Sequence, residues 1–275
     1  MNASLGARGA GVEPPSAFHP QELMVVAAAR ALRDHERVLV GIGMPNLAAT
    51  LAKRTFAPNL VLLYESGVID AQPSRLPLAI ADPCLVTGAA AVTSMFDFFA
   101  LYLQGGWIDV GFLGGAQVDR YGNINSTVVG RYDAPRVRLP GSGGACEIAT
   151  HAKRLVIMVR HDRRHLPERV DFVTSPGHLT GDGARDRAGM PGGGPAVVVT
   201  DLGVLDFDER GEMRLRSTHP GVSVETVLER TGWPLLVADD VTEEPAPSAD
   251  ELRVLRDELD VDGTYIPRAP GGGAS

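Results

Sequence analysis

Short apolar runs that alternate with helical patterns are the feature of this sequence that most restricts its fold. Four strand-like runs are bounded by Gly, Pro or charged residues: 38–40, 60–64, 108–113 and 155–159. Helical patterns lie between or beyond these runs, at 21–33, 46–54, 93–103 and 251–259. Strands that alternate with helices are typical of parallel sheets. The sequence therefore predicts an α/β fold, with an open, mostly parallel sheet and flanking helices.

The rest of the chain extends this pattern without dividing it. A further strand is predicted at residues 196–200, followed by a hairpin over residues 204–215. The composition of residues 1–19 and 267–275, rich in Gly, Ala and Pro, is typical of a flexible arm and a disordered tail. Because no repeat or linker interrupts them, residues 20–266 are predicted to form one domain.

Charge and cysteine content exclude several classes of protein. The 26 Lys and Arg residues against 34 Asp and Glu residues give a net charge of -8, which provides no general basic field for nucleic acid or an anionic membrane. Cys84 and Cys146 lie far apart and match neither a disulfide framework nor a zinc-binding spacing. No apolar segment has the length of a signal peptide or a membrane span. We expect a cytoplasmic enzyme or binding protein without a metal site.

A glycine turn follows the first strand. Gly41-Ile42-Gly43-Met44-Pro45 leads the chain into a helix whose first turn accommodates the proline. Backbone amides at such a helix start can hold an anion. A dinucleotide-binding fingerprint would require a third glycine where Asn46 stands. For Gly41 and Gly43, a purely structural turn and a turn beside a functional site both stay open.

A single carboxylate ends the second strand. Residues 60–64 form an apolar run that leads to Glu65, and the small residues Ser66 and Gly67 follow. A buried, unpaired charge is costly, so a carboxylate at this place is hydrated, paired or functional. For one glutamate considered alone, a carboxylate at the rim of the sheet is the simplest interpretation.

Two Gly-Gly-Ala turns occur farther along the chain. Gly114-Gly115-Ala116 follows the third strand, and Gly143-Gly144-Ala145 precedes the fourth. Turns of this kind expose backbone amides and carry little side-chain bulk, so a ligand can approach the backbone closely. Together with the first glycine turn they suggest one extended site for an acyl or phosphate group.

Motifs of several common enzyme classes are absent. The sequence contains no phosphate-binding loop with Gly-Lys-Ser/Thr, no Gly-x-Ser-x-Gly elbow and no His-Glu-x-x-His pair. His161 and His165 have a helical spacing, but the charged residues between them favour a solvated stretch over a metal site. Arg160, Arg163 and Arg164 could neutralise a substrate carboxylate, or form a charged strand end.

An ordered series of short motifs runs through most of the chain. The motifs are GIGMP (41–45), APN (57–59), ESGVID (65–70), GGAQVD (114–119), YGNINST (121–127), GSGGA (141–145), VTSPG (173–177) and VTDLGV (199–204). In this order they resemble the β subunit of glutaconate coenzyme A-transferase and other family I coenzyme A transferases. The resemblance covers roughly residues 20 to 265.

The resemblance implies that Glu65 is the nucleophile of a coenzyme A transfer. A carboxylate is ionised at neutral pH without a base, and it depends on placement and oxyanion stabilisation for its reactivity. The implied route passes through an acyl anhydride and a glutamyl thioester, with an acyl-CoA thioester as substrate and no permanently bound cofactor. By the same resemblance, amides around Gly115, Ala116, Gly143, Gly144 and Ala145 line the pocket of the intermediate.

The resemblance also implies a partner chain and leaves alternatives open. An α subunit of similar fold would complete a heterodimer or heterotetramer. Relatives of this fold act as hydrolases or lyases on coenzyme A thioesters, and a retained Glu65 could activate water. A catalytically silent ligand-binding subunit is a third alternative.

Overall fold

A ten-stranded sheet forms the centre of the fold in the computed structural model, which describes residues 18–267. The strands of the protein are β1 (Arg37–Leu39), β2 (Val61–Leu63), β3 (Val68–Ile69), β4 (Ala91–Val92), β5 (Val110–Gly114), β6 (Gln117–Val118), β7 (Ile124–Asn125), β8 (Val128–Gly130), β9 (Pro135–Arg138), β10 (Arg154–Met158), β11 (Pro195–Val199), β12 (Gly203–Phe207), β13 (Met213–Thr218) and β14 (Leu236–Glu243). Their order in the large sheet is β14-β13-β12-β11-β10-β5-β1-β2-β3-β4, while β6 pairs with β7 and β8 with β9.

Seven α-helices connect or flank these strands within the described residues. They are α1 (Pro20–Arg30), α2 (Met44–Arg54), α3 (Met95–Asp97), α4 (Ala145–His151), α5 (Ala184–Arg187), α6 (Val224–Arg230) and α7 (Ala249–Arg253). Two of them continue as π-helical segments, α3 into Phe98–Leu103 and α7 into Val254–Leu259, and a 3-10 turn covers Pro83–Val86. None of the helices in residues 18–267 combines the length and apolarity needed to cross a bilayer.

Alternate side chains of the central strands enter two separate cores, one on each face of the sheet. In β1 and the residue after it, Val38 and Val40 belong to one core and Leu39 to the other. The first core also contains residues of α1 and α2, and the second contains Phe98 and Ile148. Successive side chains of a strand point to opposite faces, so helices on both faces explain why these strands are apolar throughout.

The predicted α/β class is confirmed, and the sheet is parallel where the sequence indicated. β10, β5, β1 and β2 are neighbouring parallel strands. β12 and β13 form the predicted antiparallel hairpin. The predicted helix at residues 93–103 is shorter as an α-helix and changes to π-helical geometry at Phe98. The predicted arm 1–19 and tail 267–275 lie almost entirely outside the described residues, so these two predictions stay predictions.

The first helix is fixed by its own sequence. His19 caps α1: its imidazole accepts a hydrogen bond from the Gln21 amide at 3.2 Å, and Glu22 accepts one from the His19 amide at 2.7 Å. Pro20 occupies the first turn, where a missing N–H is not needed. The capping side chains satisfy amides that would otherwise lack partners, so α1 begins at a defined residue beside the sheet.

Candidate active site

The carboxyl ends of five neighbouring strands meet at one edge of the sheet. One or two residues beyond the ends of β1, β2, β5, β10 and β11 lie, in that order, Gly41, Glu65, Gly115, Arg160 and Asp201. In open α/β sheets, ligands bind in the crevice outside these ends. The topology thus places at one edge residues that are far apart in the sequence.

A tight turn presents Glu65 at this edge. The Gly67 amide donates to the Tyr64 carbonyl at 2.9 Å, so Glu65 and Ser66 form the tip of the turn between β2 and β3. Gly67 has a φ of 89°, and a Cβ atom there would lie 2.2 Å from the Thr93 carbonyl oxygen. Only glycine fits this position, because both the backbone conformation and the close approach exclude a side chain.

A buried tyrosine connects this turn to helix α2. The Tyr64 hydroxyl donates to Asn46 Oδ1 at 3.1 Å, and both side chains are buried. Burial raises the pKa of Tyr64 above its usual range, so the phenol stays protonated and keeps donating. The bond connects the end of β2 to the first turn of α2. The importance of Asn46 could not be recognised from the sequence, since a lone Asn near a helix start is common.

Glu65 carries an unpaired carboxylate. Within residues 18–267 no side chain or amide hydrogen-bonds to it, and no cation forms an ion pair with it. Burial raises its pKa above the usual range of a glutamate. Glu65 lines a cavity of about 350 Å³ together with Gly41, Met44, Phe112 and other residues. A half-buried carboxylate that opens into a cavity without a partner is a candidate reactive group.

Gly144 lies directly against the Glu65 carboxyl group. A Cβ atom at residue 144 would be 3.0 Å from Glu65 Cδ and 2.6 Å from Phe99 Cζ. The missing side chain therefore lets the start of α4 approach Glu65. The structure brings together two predicted site residues that are 79 positions apart, and it adds Phe99 of the π-helical segment, which the sequence indicated only as part of a helix.

The glycine-rich turns differ in the amides they leave free. The Ala116 amide donates to the Asn125 carbonyl and the Ala145 amide to the Ser142 carbonyl, both at 2.9 Å. The amides of Gly115, Gly143 and Gly144 have no acceptor in the described part of the chain. Of the five residues expected to line the intermediate's pocket, these three glycines keep amides available for a ligand.

The remaining predicted site residues have mixed environments. Gly41 lines the Glu65 cavity, whereas Gly43, with a φ of 94°, starts α2. The Ser66 hydroxyl is buried and has no partner in residues 18–267. These placements make Gly41 part of the cavity wall and Gly43 a turn residue.

The three predicted arginines do not act together. Arg160 lines a second cavity, of about 490 Å³, which shares Met44 and Met158 with the first. Arg163 Nε donates to the Glu229 carbonyl at 2.8 Å, and Arg164 is exposed. Of the three arginines, Arg160 alone lines one of these two cavities.

His161 and His165 have separate structural roles. His161 is buried, with one ring nitrogen 3.0 Å from the Thr200 hydroxyl and the other 3.0 Å from the Thr231 hydroxyl. Burial lowers the pKa of His161 to about 4, so it is neutral at pH 7. His165 Nδ1 lies 2.9 Å from Asp162 Oδ2. Both ring nitrogens of His161 and the Nδ1 atom of His165 therefore already have hydrogen-bonding partners within the protein.

The chain is similar in sequence to coenzyme A transferases. The family model for Coenzyme A transferase matches residues 21–230. The chain is 48% identical over 242 residues to one subunit of the 3-oxoadipate CoA-transferase of Pseudomonas knackmussii, covering 88% of this chain and 93% of that protein. It is 38% identical over 252 residues to one subunit of the glutaconate CoA-transferase of Acidaminococcus fermentans, covering 90% and 94%.

A solved structure extends the likeness to the fold. The crystal structure of glutaconate coenzyme A-transferase from Acidaminococcus fermentans superposes with a TM-score of 0.87 at 36% identity, covering 92% of this chain and 99% of that chain. The resemblance seen in the ordered motifs is therefore confirmed at the level of sequence and fold. This chain belongs to the coenzyme A transferase family.

Proposed function

We propose that this chain is the β subunit of a coenzyme A transferase in which Glu65 forms a covalent thioester with coenzyme A. The observation that carries the proposal is the unpaired, half-buried Glu65 carboxylate held against Gly144. Burial raises the pKa of this carboxylate, and a more basic carboxylate is a better nucleophile. A catalytic base is not needed, because the reacting form of the group is the carboxylate anion, which has no proton to lose during the attack.

The transfer proceeds in two symmetrical halves. A Glu65 oxygen attacks the donor thioester carbonyl, the C–S bond breaks, and an acyl anhydride and coenzyme A thiolate result. The thiolate then attacks the Glu65 carbonyl carbon, which releases the donor acid and leaves a glutamyl thioester. An acceptor carboxylate reverses these steps and leaves as the new acyl-CoA. One thioester replaces another, so the reaction requires no external energy source.

Free backbone amides supply the oxyanion stabilisation that a carboxylate nucleophile requires. The Gly144 amide is one candidate donor, because a Cβ atom at this residue would lie 3.0 Å from Glu65 Cδ. Gly115 and Gly143 carry the other uncommitted amides of the two turns. Preorganised donors of this kind contribute a factor of roughly 10² to 10³ each in acyl-transfer enzymes.

The proposal includes a partner chain and a cellular location. An α subunit of similar fold would form a heterodimer or heterotetramer with this chain, as the subunit names of the relatives suggest. The acyl-CoA is a substrate and not a resident cofactor. Free Cys84 and Cys146 support a reducing, cytoplasmic setting.

Trapping the thioester on Glu65 tests the proposal. The co-purified complex is incubated with an acyl-CoA donor and treated with hydroxylamine or borohydride, and the modified residue is identified by mass spectrometry. We expect modification at Glu65, loss of transfer in Glu65→Ala, and normal transfer in the control Glu147→Ala, which replaces an exposed glutamate of α4. Full activity of Glu65→Ala would refute the mechanism. Stoichiometric release of coenzyme A without an acceptor acid would instead indicate a hydrolase.

A further inference from the structure

The backbone hydrogen bonds between β1 and β2 end just before the site. The last of them joins the Val40 amide to the Leu63 carbonyl at 3.0 Å. Beyond it, in the described part of the chain, no backbone hydrogen bond connects residues 41–46, which lead into α2, with residues 64–67, which form the turn after β2. Both segments line the cavity of Glu65. The position of this carboxylate relative to the cavity wall therefore depends on side-chain contacts.

Tyr64 closes the turn that presents Glu65. Its amide donates to the Val68 carbonyl at 3.0 Å, and its carbonyl accepts from the Gly67 amide at 2.9 Å. Both backbone groups of Tyr64 are thus used to hold Glu65 and Ser66 at the tip of the turn. A shift of Tyr64 would move the carboxylate with it.

The side chain of Tyr64 supplies the connection that the backbone lacks. Its hydroxyl donates to Asn46 Oδ1 at 3.1 Å, and the two residues are only 2% and 1% exposed. Asn46 directly follows Pro45, which lines the cavity, and Tyr64 directly precedes Glu65, which lines it too. One buried hydrogen bond therefore joins the turn of the carboxylate to a wall of its own cavity.

The surroundings of Asn46 favour a positioning role over a purely stabilising one. Its Oδ1 atom also accepts from the Thr50 hydroxyl at 3.3 Å, whereas its Nδ2 atom is buried and has no acceptor within residues 18–267. A buried donor without a partner lowers the stability of a fold. An apolar side chain would avoid this cost, so what asparagine contributes here is the directed hydrogen bond with Tyr64.

We infer that Asn46 is a positioning residue for Glu65 and acts through the Tyr64 hydroxyl. The hydrogen bond fixes the carboxylate relative to the start of α2, so that Glu65 stays aligned for attack on the thioester carbonyl. A residue that acts in this way needs no contact with the substrate, so its removal should change the rate of attack and not the binding of the donor. The inference rests on the proposed function of Glu65.

Burst kinetics of the complex with its partner subunit test the inference. The burst of donor-acid release reports formation of the glutamyl thioester, and it is measured at several concentrations of the acyl-CoA that charges the wild type in the trapping experiment. We expect Tyr64→Phe and Asn46→Leu each to slow the burst at saturating donor by roughly 10-fold, since a misplacement of about 1 Å can cost a factor of about 10². The half-saturating donor concentration should stay within about twofold of the wild type.

Two comparisons separate positioning from a general loss of stability. Thr50→Val removes the other hydrogen bond to Asn46 Oδ1 and leaves the bond from Tyr64 in place. It should lower the melting temperature, as Tyr64→Phe does, but keep the burst rate within about twofold of the wild type. The double variant Tyr64→Phe/Asn46→Leu should be no more than about twofold slower than the slower single variant, because both substitutions remove the same bond.

The outcomes separate the inference from the proposed function. If no donor charges Glu65 in the wild-type complex, the proposed function fails and the inference with it. If the wild type is charged and Tyr64→Phe keeps the full burst rate, the function stands and the positioning role is overturned. Equal slowing by Thr50→Val, or losses that multiply in the double variant, would overturn it as well. Tyr64→Phe keeps the aromatic ring and its packing, so it decides the question even if Asn46→Leu fails to assemble.

Discussion

Replacement of Gly144 by alanine tests whether Glu65 must be held at one position. Gly144 has a φ of -79°, which alanine adopts without strain, so the substitution acts through the added methyl group alone. That group would lie 2.6 Å from Phe99 Cζ and 3.0 Å from Glu65 Cδ, whereas ordinary contacts begin at 3.4 Å. The Phe99 ring would have to move by about 0.8 Å and the Glu65 carboxyl group by about 0.4 Å.

These displacements set the expected magnitudes. Overpacking of this kind costs about 1–3 kcal/mol of folding stability. A misplacement of about 1 Å can reduce a rate by a factor of about 10². We therefore expect Gly144→Ala to slow formation of the glutamyl thioester by roughly 10- to 100-fold. The assay is the burst of donor-acid release from acyl-CoA by the assembled complex, with thermal melting as the stability measurement.

A second substitution makes this prediction specific. Phe99→Leu shortens the side chain that the new methyl group meets, so the double variant should recover part of both stability and rate. Phe99 is only half-buried, which limits the cost of its own truncation. Unchanged melting and full burst rate in Gly144→Ala would refute the claim that this glycine positions Glu65. Equal losses in the single and double variants would refute the steric explanation.

Three further predictions concern buried charged or titratable groups. Burial raises the pKa of Glu65 above 4.5, so the wild type loses stability as pH rises from the unfolded pKa through the raised folded pKa. Glu65→Gln should abolish transfer and gain melting temperature relative to the wild type as pH is raised from about 4, and a difference that stays constant with pH would contradict this. The pKa of His161 is lowered from 6.5 to about 4, so the unfolded chain takes up the proton at a higher pH than the folded chain does. Urea denaturation should show that the wild type loses about 2 kcal/mol of stability between pH 7 and pH 5. This loss should be absent in His161→Asn. Arg185 is buried and donates to five backbone carbonyls. Urea denaturation should therefore show that Arg185→Lys lowers the unfolding free energy by more than about 2 kcal/mol. The exposed control Arg187→Lys should change it by less than about 0.5 kcal/mol.

The apolar pattern of the sequence predicted the central strands of the sheet but not its short edge strands. The central strands are apolar on both faces, and this pattern predicted their existence and their parallel arrangement before any contact was known. The pattern could not predict β3 and β4, which are two residues long and lie at the edge of the sheet. Short edge strands bury little surface, so their sequences carry little periodicity.

The burial of Arg185 could not be predicted from the sequence. Its guanidinium joins the Ala149 and Thr150 carbonyls to those of Pro176, Gly177 and Gly192. Nothing in the run Ala184-Arg185-Asp186-Arg187 separates the buried arginine from the exposed one. Burial depends on which loops meet in space, and sequence spacing contains no such information.

The sequence by itself determined the α/β class, the order of the motifs and the family, because periodic burial and short motifs are local properties of the chain. It also singled out Glu65, although only the neighbouring motifs distinguished this glutamate from a carboxylate at the rim of the sheet. The tertiary structure alone decided that Gly144 touches the Glu65 carboxyl group, that the Ala116 and Ala145 amides are already engaged, and that Arg160 lines the adjoining cavity. The contact between Gly144 and Glu65 and the lining of the adjoining cavity join segments that are distant in the sequence, and such contacts are fixed by the packing of the whole sheet.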